Sequence, residues 1–133
     1  MERKKISSNT KWESIVGYSR AIRVGSNIYV SGTTATNKFG KITGKRNPYK
    51  QTVQAIENIE SALKQFDSNL ENVVRTRIFV ANIKDWKKIA KAYSEFFDKI
   101  RPTCTMVEVN RFIDPAILLE IEVEAVVYSK PLH

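Results

Sequence analysis

The chain is short of the residues that build metal and disulfide sites. Cys104 is its single cysteine and His133 its single histidine among 133 residues. One cysteine excludes an internal disulfide and suits a reducing compartment, so a cytoplasmic protein is expected. One cysteine and one histidine cannot supply the usual zinc ligands, and the carboxylates show no EF-hand spacing. No metal site and no cofactor are therefore expected. No apolar run approaches the roughly 20 residues of a membrane helix, so no membrane partner is expected. The charged start, Met1-Glu2-Arg3-Lys4-Lys5, leads into no apolar stretch, unlike a secretory signal. Glycine and proline are sparse, at five and four residues, and no linker, repeat or low-complexity segment stands out. A chain of this length that is 42% hydrophobic reads as one domain, 1–133.

What the chain has in excess is positive charge, +8 net. One reading is an acidic partner such as nucleic acid or an anionic metabolite; the other is a solvated basic surface. The basic residues form no long block and alternate with acids, which favours the second.

Residues 1–11 read as a flexible polar tail. Ser14–Val16 and Tyr18–Val24 read as an interrupted strand, turned by Gly25-Ser26-Asn27 into a second strand at Ile28-Tyr29-Val30. Asn37–Asn47 reads as a loop. Asn47-Pro48 is a helix start, and Val53, Ile56, Ile59, Leu63 and Phe66 follow at helical spacing. Val73–Val80 alternates, with Val74, Thr76, Ile78 and Val80 on one face and Arg75, Arg77 and Phe79 on the other. A second helix is expected from Asp85, burying Trp86, Ile89, Ala90, Tyr93, Phe96 and Phe97. It must stop before Arg101-Pro102. Thr103–Val109 and Leu118–Tyr128 are the last strands. The order β-β-α-β-α-β-β, with two one-sided helices, predicts an α/β (α+β) sheet covered on a single face.

Glu120, Glu122 and Glu124 take alternate positions on the final strand and so share a face, opposite Leu119, Ile121, Val123 and Ala125. Arg75 and Arg77 form a matching pair that would give cross-strand ion pairs if the two strands are neighbours. The acidic face is open to two readings. It is either the solvated side of an ordinary sheet, or a face buried between subunits with one carboxylate left for chemistry. A raised pKa in one member would give a general acid or base near neutrality.

Several segments resemble the Rid (YjgF-like, reactive-intermediate deaminase) family. They are Val16-Gly17-Tyr18-Ser19-Arg20-Ala21 with Ile28-Tyr29-Val30-Ser31-Gly32-Thr33, then Val73–Val80 with Asp85-Trp86. Arg101-Pro102-Thr103-Cys104-Thr105-Met106-Val107-Glu108-Val109, Asp114-Pro115, Leu119-Glu120-Ile121-Glu122 and Ala125-Val126 complete the set. The resemblance is collinear from Val16 to Val127. It implies a chorismate-mutase-like fold: a mixed sheet, two helices on one face, and a homotrimer with sheets inward and ligand clefts between subunits. It further implies hydrolysis of 2-imino or 2-enamino acids to 2-keto acids and ammonia. The family's water-handling glutamate falls on Glu120, its tyrosine on Tyr18 and its serine on Ser31, with Gly32 beside it. The family's carboxylate-clamping arginine falls on Cys104, which offers neither charge nor a bidentate fork. That places the chain in a branch with an altered substrate.

Cys104 as a nucleophile has no histidine to activate it, so it reads as a small cleft residue, and Met106 as packing. Arg20, two residues from Tyr18 on the same strand face, is the candidate replacement cation; Arg101 and Arg111 are alternatives. The expected function is a trimeric small-molecule cleft protein, resembling imine/enamine deaminases. The alternative is a non-catalytic protein that binds a metabolite or RNA, of the translation-inhibitor type, although no RNA-binding signature is visible.

Overall fold

The structure, a computed structural model, describes residues 2–8 and 10–128. Six strands form one mixed sheet: β1 (Arg3–Ile6), β2 (Ala21–Val24), β3 (Asn27–Thr33), β4 (Val73–Val80), β5 (Thr103–Glu108) and β6 (Leu119–Val126). Their spatial order is β1-β2-β3-β6-β4-β5, and only β4 and β5 run parallel. Helices α2 (Pro48–Lys64) and α3 (Trp86–Phe97) carry the chain from β3 to β4 and from β4 to β5. Both pack on one face, as the one-sided apolar stripes require.

The core is the layer between sheet and helices. Ile56, Ile59 and Leu63 of α2 and Ile89 and Phe97 of α3 are buried there with Ile28, Val30, Ile78, Val80, Leu119, Ile121 and Val123. Asn47 caps α2 by accepting a hydrogen bond from the Lys50 amide, and Pro48 takes the first helical position. Gln51 is fully buried and ties two loops together. Its amide nitrogen donates to the carbonyls of Gly44 and Ala116, and its Oε1 accepts from the Leu118 amide.

On the face away from the helices, Arg77 reaches across from β4 to the carboxylates of Glu122, at 3.0 Å, and Glu124, at 3.4 Å. The two strands are neighbours, as the ion-pair pattern requires. These groups are more than a third exposed, so each pair contributes at most about 1 kcal/mol. Among the described residues no helix is long and apolar enough to cross a membrane.

Four expectations are corrected. Arg3–Ile6, read as part of a flexible tail, pairs with β2 as the sheet's edge strand; polar side chains do not prevent backbone pairing where both faces meet solvent. Ser14–Val16, read as strand, belongs to a short helix, α1 (Lys11–Val16). The β-branched pair Ile15-Val16 hid the helix, which Gly17 closes in a left-handed conformation (φ 93°) with its N–H on the Glu13 carbonyl. Val74 is exposed, not buried, because the β4–β6 register shifts between Val73 and Arg75. Trp86 is exposed as well: it occupies the first turn of α3, one turn ahead of Ile89, where burial begins.

Candidate functional site

β3 loses its regular pairing with β6 between Val30 and Thr33. This irregularity brings Ser31 and Gly32 beside the start of β6, where Glu120 stands. A β-carbon at position 32 would overlap Glu120 Oε1 and crowd its Cδ, so the carboxyl fills space that only glycine leaves free. The two residues wall a cleft of about 600 Å³. Tyr18, Arg20 and Ser31 share that wall; Asn58 of α2, Lys38 of the β3–α2 loop and Arg111 of the β5–β6 loop line it too. Asn58 holds its part of the wall by donating to the carbonyls of Thr34 and Thr36.

Burial pushes the Glu120 carboxyl above the ordinary carboxylate range; Arg20 offsets part of the rise, and Glu122 adds to it. Glu120 thus holds a proton more tightly than a free carboxyl does. Glu122 and Glu124 face Arg77 instead.

Arg20 is buried and its donors point into the protein. Nη1 reaches the Gly32 carbonyl at 2.7 Å and Thr33 Oγ1 at 3.1 Å, while Nη2 reaches the Tyr18 hydroxyl at 3.2 Å. Accepting from Arg20 leaves the phenolic proton of Tyr18 available to donate. Ser31 Oγ donates to the Ser19 carbonyl, which leaves its lone pairs as its cleft function.

Behind Arg20 lies Glu13, also buried, with Oε2 3.6 Å from Arg20 Nε. Burial alone would raise its pKa; hydrogen bonds from Ser8, Thr10 and Ser7 outweigh this and hold it at about 2. Ser8 contributes both its amide and its hydroxyl. Sequence reasoning missed this residue. The spacing Thr10-x-x-Glu13 has the form of a capping box, and that signal could have found it. Here Thr10 Oγ1 donates directly to the carboxylate at 2.8 Å instead of capping the helix.

Cys104 and Met106 lie on β5, at the edge of the sheet two strands beyond β6, and do not line this cleft within one chain. Cys104 is exposed, and its register partner is Thr76. Arg101 is exposed and engages Asp98. Arg111 has no hydrogen bond or ion pair among the described residues.

Residues 8–127 match the family described as Endoribonuclease L-PSP. The chain is 36% identical over 122 residues to an uncharacterised protein of Streptomyces coelicolor, covering 92% of this chain and 90% of that one. It superposes with TM-score 0.87 and 42% identity on a Mycobacterium tuberculosis member of the highly conserved YjgF/YER057c/UK114 family, covering 95% and 100% of the two chains. A Yersinia pestis protein of the conserved Rid family matches with TM-score 0.84 and 31% identity, over 95% of this chain and 100% of that one. These matches run along nearly the full length, and the chain belongs to the YjgF/Rid family, also described as Endoribonuclease L-PSP.

Proposed function

We propose that this protein is a homotrimeric cleft enzyme that hydrolyses an imine or enamine to a carbonyl compound and ammonia, with Glu120 as proton carrier. The observation that carries this reading is the Glu120 carboxyl, seated against Gly32, half-buried, and raised in proton affinity within a cleft of small-molecule size. In its ionised form Glu120 takes a proton from water as the water oxygen bonds to the imine carbon. It passes that proton to nitrogen, giving a carbinolamine, then relays the remaining hydroxyl proton to nitrogen as the C–N bond breaks, the C=O forms and ammonia leaves; an enamine is first protonated at carbon to reach the imine level. The Tyr18 hydroxyl, held by Arg20, donates to the substrate.

Two observations support a second subunit at this cleft. Val16 and Ile113 line it while 68% and 67% exposed, an apolar rim that further burial would stabilise. Cys104, which the family pattern puts in the site, lies away from it in the same chain and reaches a cleft only from another copy, whereas Met106 packs against the core of its own chain. The substrate is one that does without the family's clamp. Cys104 carries no charge, and three donor contacts of Arg20 go to protein groups. The exposed cations in reach are Lys38 and Arg111.

A second reading, RNA binding or cleavage, has the +8 charge and the endoribonuclease description in its favour. Two assays separate them: ammonia release from imines generated from a panel of amino acids, and salt-dependent cleavage and retention of single-stranded RNA. The proposal expects turnover in the first and none in the second. RNA cleavage without imine turnover would replace it.

A further inference from the structure

We propose that Glu13 is a positioning residue: a fixed negative charge behind the cleft wall that holds Arg20 in place and, through Arg20, sets how tightly Glu120 keeps its proton. The inference rests on the reading of Glu120 as a proton carrier and adds a residue to which the family resemblance assigns no role.

The geometry is a chain of contacts from Glu13 to Arg20, from Arg20 to Gly32, and from Gly32 to Glu120. Glu13 and Arg20 are 4% and 7% exposed, and both belong to the short stretch that enters the hairpin. Among the described residues Arg20 Nε makes no hydrogen bond; it faces Glu13 Oε2 at 3.6 Å, so the contact is an ion pair without a shared proton. The Nη atoms are turned the other way, onto Gly32, Thr33 and Tyr18. Glu120 presses on Gly32 and is influenced by Arg20. The carbonyl that orients Arg20 and the α-carbon that accommodates Glu120 therefore belong to the same residue.

Glu13 suits the role of a fixed charge because it does not titrate where Glu120 does. Its hydroxyl and amide partners keep it ionised down to about pH 2. The other charged or titratable groups around Glu120 are Tyr18 and Arg20 from the hairpin, Glu122 from its own strand, Lys38, and Arg111. From α2 the cleft receives Asn58, Ser61 and Gln65, none of which titrates. Arg20 is the one cation in this set that is buried, and Glu13 is the carboxylate paired with it.

Removing the Glu13 charge acts through Arg20. It leaves the guanidinium uncompensated and free to turn its charge toward Glu120. Both lower the Glu120 pKa. The test is an NMR titration of the Glu120 side-chain carboxyl in the full-length protein. Glu13→Gln, which keeps the shape and a hydrogen-bonding oxygen, should lower the midpoint by about one unit or more. Glu13→Asp, which keeps the charge, should stay near wild type. A folded Glu13→Gln protein with an unmoved midpoint overturns the proposal. Should that variant fail to fold, Glu13→Gln/Arg20→Gln carries the test, because it strands no buried charge. Its midpoint must rise above that of wild type, and an unchanged one overturns the proposal equally. The readout needs no substrate. Absent imine turnover would remove the proposed activity and leave the titration standing, whereas an unmoved Glu120 would remove Glu13 alone.

Discussion

Glu120 and Gly32 are two halves of one steric arrangement. The carboxyl stands where a β-carbon at position 32 would have to be, so Gly32→Ala should displace Glu120 and leave the core untouched. Because the obstructing atoms are the end of a side chain, the expected loss of stability is small, within about 1 kcal/mol, while ligand binding or turnover falls at least tenfold. Equal losses of stability and turnover would show that the close approach is a packing feature only. Glu13 gives a pH signature at the same scale. Its folded pKa of about 2 lies below its ordinary 4.5. It therefore contributes stability that is fully present above pH 4.5 and disappears as the pH falls toward 2, on the order of 2–3 kcal/mol. Urea unfolding of wild type and Glu13→Gln should differ by that amount at neutral pH and converge in acid. A gap that stays constant from pH 6 to pH 2.5 would show that the buried carboxylate is not responsible.

The elements that were legible in the sequence are those in which pattern and packing agree. Asn47-Pro48 with the Ile56, Ile59, Leu63 stripe gave α2 directly, and the acidic alternation of β6 gave both its faces and its arginine-bearing neighbour. The N-terminal elements were not legible, because nothing hydrophobic announces them. β1 is held by backbone pairing and a single apolar contact, Ile6 against the core, and the helix ending at Val16 is held by one buried carboxylate and a left-handed glycine. Of the candidate site, Tyr18, Ser31 with its neighbour Gly32, and Glu120 could be named from segment resemblance, and Arg20 from its spacing from Tyr18, but not which way Arg20 points. That depends on Glu13, five residues from Tyr18, between the stretch read as a tail and the stretch read as a strand. Gln51 was equally silent: on a helical wheel it is a polar residue among buried neighbours, and only the fold shows it joining the α2 approach to the β6 approach. Gln51→Ala leaves an amide and two carbonyls without this partner in a buried position. A loss of about 2–4 kcal/mol is expected in chemical denaturation. A loss below 0.5 kcal/mol would mean that the two loops are held by other contacts.

At the scale of the whole molecule, the sheet has one covered face and one bare one. The bare face presents Tyr29 and Val107, about half exposed, among the Arg77, Glu122 and Glu124 charges. A mixed patch of this kind, next to a cleft with an apolar rim, is the surface on which a homotrimer would form. Sedimentation velocity at micromolar concentration should give three times the 15.2 kDa chain mass. A stable monomer would leave Cys104 outside any cleft and remove the interface from the account. The central claim, however, is chemical, and it turns on Glu120. Its most direct test is the rate of ammonia release from an imine substrate by wild type and Glu120→Gln, measured side by side at neutral pH with folding verified. The account predicts a loss of about 10²–10⁴-fold in the variant, the range of a general acid–base group. A Glu120→Gln protein that releases ammonia as fast as wild type would contradict it.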